Sequence, residues 1–220
     1  MKAFIGVLIF LNLLFALDLN TIEKEIAKTY LKEYQALHLE IEKINLNLAE
    51  RFNNAKILSY ELGSKETLRK DGVVFLNIEL ENQSKMRLPV RYSIIGSIQA
   101  FKSVGIIKKD ENITEANTLA TRIPFGSLES PLLESAINHS SAKVYIAPST
   151  LLNASKVQAL IVVHKGDVIV GVYQEGRIIL ETNLQVLENG ALNSVIQAKN
   201  LESNKILKVR ILSSSKAQVL

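Results

Sequence analysis

A mainly β chain with an α+β start is the fold class this sequence predicts, and three observations carry it. Short runs of branched aliphatic residues alternate with polar ones through the last third of the chain, and Gly-Asp and Asn-Gly cassettes separate them. Only one stretch, close to the N-terminus, carries the i, i+4 stripe of an amphipathic helix.

The order of elements follows from these patterns. Met1-Lys2 and the apolar run over residues 3–17 have the basic start, hydrophobic centre and small final residue of a secretory signal, with cleavage expected after Ala16. The run is shorter than the about 20 apolar residues that span a bilayer. Asn20 is placed to cap a helix over residues 21–34, with Glu23 reaching back to it, because Ile22, Ile26, Tyr30 and Tyr34 share a stripe beside Leu31. Lys24, Lys28 and Lys32 form a second stripe, which reads as a solvated face with an acidic partner or lipid as the alternative.

From Leu37 the period changes to two, predicting a strand over residues 37–48 with a bulge or register change at Lys43. Further strands are predicted over residues 57–62 and 73–80, the second opened by Asp71-Gly72. A polar turn over 81–85 leads to a strand from Met86 that sets Leu88, Val90, Tyr92 and Ile94 on one face. Pro89 has no N–H to give a ladder, so this start is expected at a sheet edge or a domain boundary. Residues 102–155 are irregular, with β runs expected at 118–123 and 143–147 and helical turns at 128–137 and 149–153.

The C-terminal part is the most regular. Val168, Val170 and Val172 alternate with Ile169 and Gly171, and Leu207, Val209 and Ile211 alternate with Lys208, Arg210 and Leu212. Gly166 with Asp167, and Asn189 with Gly190, supply the turn chemistry between strands, and residues 199–205 close a further corner that contains Asn200 and Ser203. A small barrel or sandwich is expected.

In this order, behind a secretory signal, these residues resemble the FlgA family of periplasmic chaperones for assembly of the flagellar P ring. The likeness runs from Leu88-Pro89-Val90-Arg91-Tyr92 through residues 142–152 to the strands of 162–220. It implies a SAF-type β-clip followed by a barrel-like module. The expected organisation is therefore a signal over 1–16, an N-terminal α+β domain over 17–84, the clip over 85–155 and a C-terminal β module over 156–220. Where the family has a second glycine and an acid after Gly190, this chain has Asn193 and Ser194, and Asn tolerates the left-handed backbone as well. Lys108-Lys109-Asp110-Glu111-Asn112 replaces a basic-Gly pair in the clip's first turn, so that loop departs from the family pattern.

The resemblance implies a non-enzymatic protein that binds the secreted P-ring subunit, FlgI, in the periplasm. Candidate contact residues are Leu88, Val90, Tyr92 and Ile94 along the expected edge, and Val144 and Ile146 on the groove side of the clip. The other readings the chain admits are a SAF-domain pilus-assembly protein, which would keep an N-terminal membrane anchor, and a carbohydrate-binding envelope protein.

Composition excludes several classes of function. With 26 basic and 22 acidic residues, 6% aromatics and no Trp, the chain has neither the basic footprint nor the stacking platform of a nucleic-acid binder. It has no Cys, hence no disulfide and no thiolate metal site, and His38, His139 and His164 stand at no metal-ligand spacing. His139-Ser140-Ser141, with Glu134 upstream, lacks a nucleophile elbow and reads as a polar turn. No catalytic group and no cofactor is expected. Asp110-Glu111-Asn112-Ile113-Thr114 fits an acidic glycosylation sequon on a loop expected to be exposed, with an ordinary Asx turn as the alternative for Asn112.

Overall fold

The computed structural model describes residues 18–63 and 69–220, so the signal and its Ala16 lie outside the described residues. The chain divides into two compact units, one of Met1–Tyr34 and Glu40–Gly96, the other of Gln35–Leu39 and Ser97–Leu220.

In the first unit, α1 (Leu19–Glu33) opens on Asp18, whose carboxylate accepts the Thr21 backbone N–H at 2.7 Å. Asp18 replaces Asn20 as the cap, because the helix begins earlier than its apolar stripe does; hydrogen bonding from the Thr21 side chain, and then from its backbone N–H, holds this carboxyl below its usual range. Ile22, Ile26 and Tyr30 are the buried face, while Leu31, expected beside the stripe, is exposed. The Tyr30 hydroxyl donates to the Arg69 carbonyl at 2.6 Å and lies 3.2 Å from the Tyr92 hydroxyl.

The sheet of this unit comprises β1 (Glu40–Asn47), β2 (Lys56–Leu62), β3 (Asp71–Glu79) and the long β4 (Lys85–Ser103), in the order β1-β4-β3-β2. The strand expected from Leu37 starts later, because Gln35–Leu37 form a 3₁₀ turn and His38 takes a left-handed φ of 47°. Val74 faces Val90 across the β3–β4 pair, and Pro89 sits inside the ladder opposite Phe75. β4 pairs with β1 as well as with β3, so it is not an edge strand along its whole length.

The second unit takes up β4 from Ser97, which pairs antiparallel with β6 (Thr118–Pro124). A three-stranded sheet follows from β5 (Asn112–Ile113), β7 (Ser140–Ala142) and β8 (Val157–Ala159). Phe101, Ile107, Ile113, Leu132, Ile146 and Leu152 bury a core within this clip. The run expected as a strand over 143–147 makes only one bridge, Ile146 to Ile107, and the 3₁₀ turns fall at Glu134–Ala136 and Ala154–Lys156.

Next, β9 (Ile161–Val163) pairs with β12 (Gly190–Ala191) beside a closed barrel of β10 (Val168–Glu175), β11 (Ile178–Val186), β13 (Val195–Asn200), β14 (Ile206–Ile211) and β15 (Lys216–Val219). Parallel pairing of β10 with β15 closes the barrel around Ile169, Leu184, Val186, Val209 and Ile211. Closure removes the free sheet edges along the paired stretches. The division between the two units falls within β4 after Gly96, and the three-stranded sheet and the barrel belong to one unit. Among the described residues no helix is long and apolar enough to cross a membrane.

Candidate functional site

Two local arrangements in the second unit carry the chemistry available to it. The first is a polar junction. The Asp110 carboxylate accepts the Gln158 amide at 2.6 Å on one oxygen and the Asn189 amide at 2.9 Å on the other. Asn189 in turn accepts the Lys165 backbone N–H at 2.8 Å. The Asn189 bond does most to hold the Asp110 carboxyl below the usual range; burial opposes it, and Gln158, Lys109 and His164 add to it. Below this lies a second chain: the fully buried Ser141 hydroxyl donates to Asn112 Oδ1 at 2.6 Å and accepts the Ile161 N–H at 2.8 Å.

The sequence signals at these positions were partly local and partly not. Gly166 adopts φ 101°, and the Asp167 carboxylate accepts the His164 N–H at 2.7 Å, as a Gly-Asp turn requires. Asn200 Oδ1 accepts the N–H groups of Glu202 and Ser203, the expected corner. Gly190 differs: it lies in β12 without a left-handed φ, and a Cβ there would come within 3.1 Å of Ile211, Ser194 and Val163. Close packing, rather than a turn, is what calls for glycine at 190. Asn112 likewise stands half-buried in β5 with its side-chain oxygen engaged, where an exposed loop was expected.

The second arrangement is an apolar stripe on the clip. Lys102 stands opposite Leu151 and Ile107 opposite Ile146, in one antiparallel register that turns Ile107 and Ile146 inward. Near the Ile107–Ile146 bridge the apolar side chains of Val104 (59% exposed), Ile106 (52%) and Tyr145 (59%) lie at the surface. Ile106 and Tyr145 directly precede the two residues of the Ile107–Ile146 bridge. Lys108 follows Ile107 of that bridge and is exposed, and Lys143 is exposed two residues before Tyr145. The stripe is therefore apolar at its centre and basic at its rim.

Of the six contact residues expected from sequence, Val90, Tyr92, Ile94 and Ile146 are buried in the cores, at 4% exposure or less. Leu88 is half-buried, and Val144 is 45% exposed beside the stripe. Alternation marked the apolar face correctly, but that face packs inward. The Ser140 hydroxyl donates to the Ala136 carbonyl at 2.8 Å, and His139 Nδ1 lies 3.0 Å from the Ile137 carbonyl. With Ser141 bound to Asn112, the His-Ser-Ser run is a set of local polar contacts.

A family model described as chaperone for flagella basal body P-ring formation matches residues 98–219, which hold the junction, the stripe and the barrel. Among solved structures, Salmonella FlgA in an open form superposes with a TM-score of 0.62 at 11% identity, covering 90% of this chain and 92% of that one. The flagellar protein FlgA from Thermotoga maritima gives a TM-score of 0.58 at 16% identity, covering 92% of this chain and 73% of that one. At such identities the likeness is one of fold. No curated protein sequence matches the chain. More than half of the polypeptide lies within the family model, and the chain belongs to the family of chaperones for flagella basal body P-ring formation.

Proposed function

We propose that this chain acts in the periplasm as a non-enzymatic chaperone that holds the secreted P-ring subunit, FlgI, until it joins the ring. The observation that carries the contact surface is the outward stripe of Val104, Ile106 and Tyr145, rimmed by Lys108 and Lys143. A clustered aromatic and aliphatic surface of this kind is where binding energy concentrates, and the lysines favour an acidic approach. No nucleotide chemistry is needed for release. Bound client is stabilised only by RT ln(1 + [L]/Kd), so an affinity of roughly micromolar strength yields once ring contacts become multivalent.

The test is titration of the mature chain against the purified P-ring subunit of the same organism. Tyr145→Ala and Ile106→Asp are expected to weaken binding at least about tenfold with unchanged melting temperature. Affinity unaltered by both substitutions removes the stripe as the contact surface, and failure of the native chain to bind removes the chaperone reading itself.

A further inference from the structure

The β10–β11 hairpin extends past the barrel. β10 meets β15 only at residues 170–172, and β11 meets β13 only at residues 184–186. Among the described residues, 173–180 pair only with each other, closed by the two-residue turn Gly176-Arg177 with Gly176 at φ 58°. The Asn183 carbonyl accepts the Leu201 N–H at 3.1 Å on the side away from β10. Because backbone direction alternates along a strand, Ile179 and Glu181 present their N–H and C=O groups to that same side, where no described strand pairs with them. On this edge Ile178, Ile179 and Leu180 are 63%, 60% and 58% exposed. Three consecutive apolar residues on an open edge are what natural sheets avoid unless something covers them.

We propose that a second copy of this chain covers the edge, joining two β11 strands antiparallel about a two-fold axis centred on Ile179. Outward-facing residues of an antiparallel seam meet as hydrogen-bonded pairs, so Ile179 meets Ile179 of the second copy. In that register Ile178 stands opposite Leu180 of the second copy, and Arg177, the turn residue that precedes β11, comes next to Glu181 of the second copy at each end of the seam. The seam is self-complementary in charge and in shape, as an isologous contact has to be. A shift of two residues brings Arg177 next to Asn183 instead and loses both ion pairs. Glu181 keeps its own Lys216 contact, 3.4 Å from Oε1, and has its second oxygen for the new one. The seam is far smaller than the roughly 20–30 residues a side of a stable complex, so the dimer is weak and concentration-dependent. It uses none of the residues of the client stripe.

Sedimentation velocity of the mature chain over a wide concentration range tests this. The native chain is expected to shift from monomer toward dimer as concentration rises. Ile179→Lys, on an exposed position, is expected to weaken association at least tenfold with unchanged circular dichroism and melting. Arg177→Glu and Glu181→Arg are each expected to weaken it, and the double reversal to restore it, a rescue that only the Ile179-centred register produces. A native chain that stays monomeric throughout overturns the proposal. So does a dimer that Ile179→Lys leaves intact or that the double reversal fails to restore. Edge amides of β11 protected from hydrogen exchange by the P-ring subunit alone would overturn it in favour of a client strand.

Discussion

Asn189 donates its side-chain amide to Asp110 at 2.9 Å across 79 residues of chain, and with its oxygen it holds the Lys165 backbone. One amide thereby ties the clip's first loop to the segment that enters the barrel. Asp110 sits at a left-handed φ of 66°, a conformation that costs a non-glycine residue energy and that its two side-chain bonds offset.

Truncating either partner is expected to destabilise the protein. Asn189→Ala leaves one Asp110 oxygen and the Lys165 N–H without protein partners, and a charge-assisted bond of this kind contributes about 1.5–3 kcal/mol. Asp110→Ala removes both of its bonds. In urea denaturation the double substitution is expected to cost clearly less than the sum of the two, because each single change already breaks the shared bond.

Acid is expected to weaken the same junction. The Asp110 carboxyl is held below its ordinary 3.8, so the unfolded chain takes up its proton first as pH falls. Its stabilising contribution is therefore complete above that ordinary value and is lost as pH drops toward the lower folded value. Melting temperatures followed from about pH 6 to about pH 2.5 are expected to show the native advantage over Asp110→Asn shrinking only in the acid part of that range. An advantage that stays constant would contradict the account.

Ser141 gives a further test, because its fully buried hydroxyl serves Asn112 and the Ile161 N–H together. Ser141→Ala strands both groups without filling the space, which costs about 1–3 kcal/mol for a buried donor. Hydrogen exchange is expected to accelerate at the Ile161 amide in this variant. Protection equal to that of the native chain would mean that the hydroxyl contributes little.

Local chemistry was legible in the sequence, and cross-chain geometry was not. The alternation around Val209 and Ile211 identified a barrel strand, and Asn193 takes the left-handed φ, 63°, that its amide tolerates. Asn189-Gly190 looked like a turn because that dipeptide is one in isolation. Its glycine instead admits Ile211 and Val163, and its asparagine finds Asp110; both requirements come from residues distant in sequence. The stripe of Leu88, Val90, Tyr92 and Ile94 showed that one face is apolar. Whether β4 lay at an edge depended on β1, whose place in the sheet no pattern within β4 encodes. The outward stripe was missed for a similar reason: Ile106 and Tyr145 come near each other only through the pairing of Ile107 with Ile146.

Two glycines with the same apparent freedom are expected to respond differently to alanine. At Gly96 a Cβ would run into the Glu40 carbonyl of β1, a backbone atom that can move only if the strand moves. At Gly190 the three nearest atoms, each 3.1 Å away, belong to the side chains of Ile211, Ser194 and Val163, which can shift by a few tenths of an ångström. Overpacking typically costs about 1–3 kcal/mol, and the relief available decides where in that range a site falls. Gly96→Ala is thus expected at or beyond the upper end, with loss of protection in β1, and Gly190→Ala near the lower end. Equal losses of stability in urea would show that β1 adjusts to the added methyl as readily as the barrel side chains do.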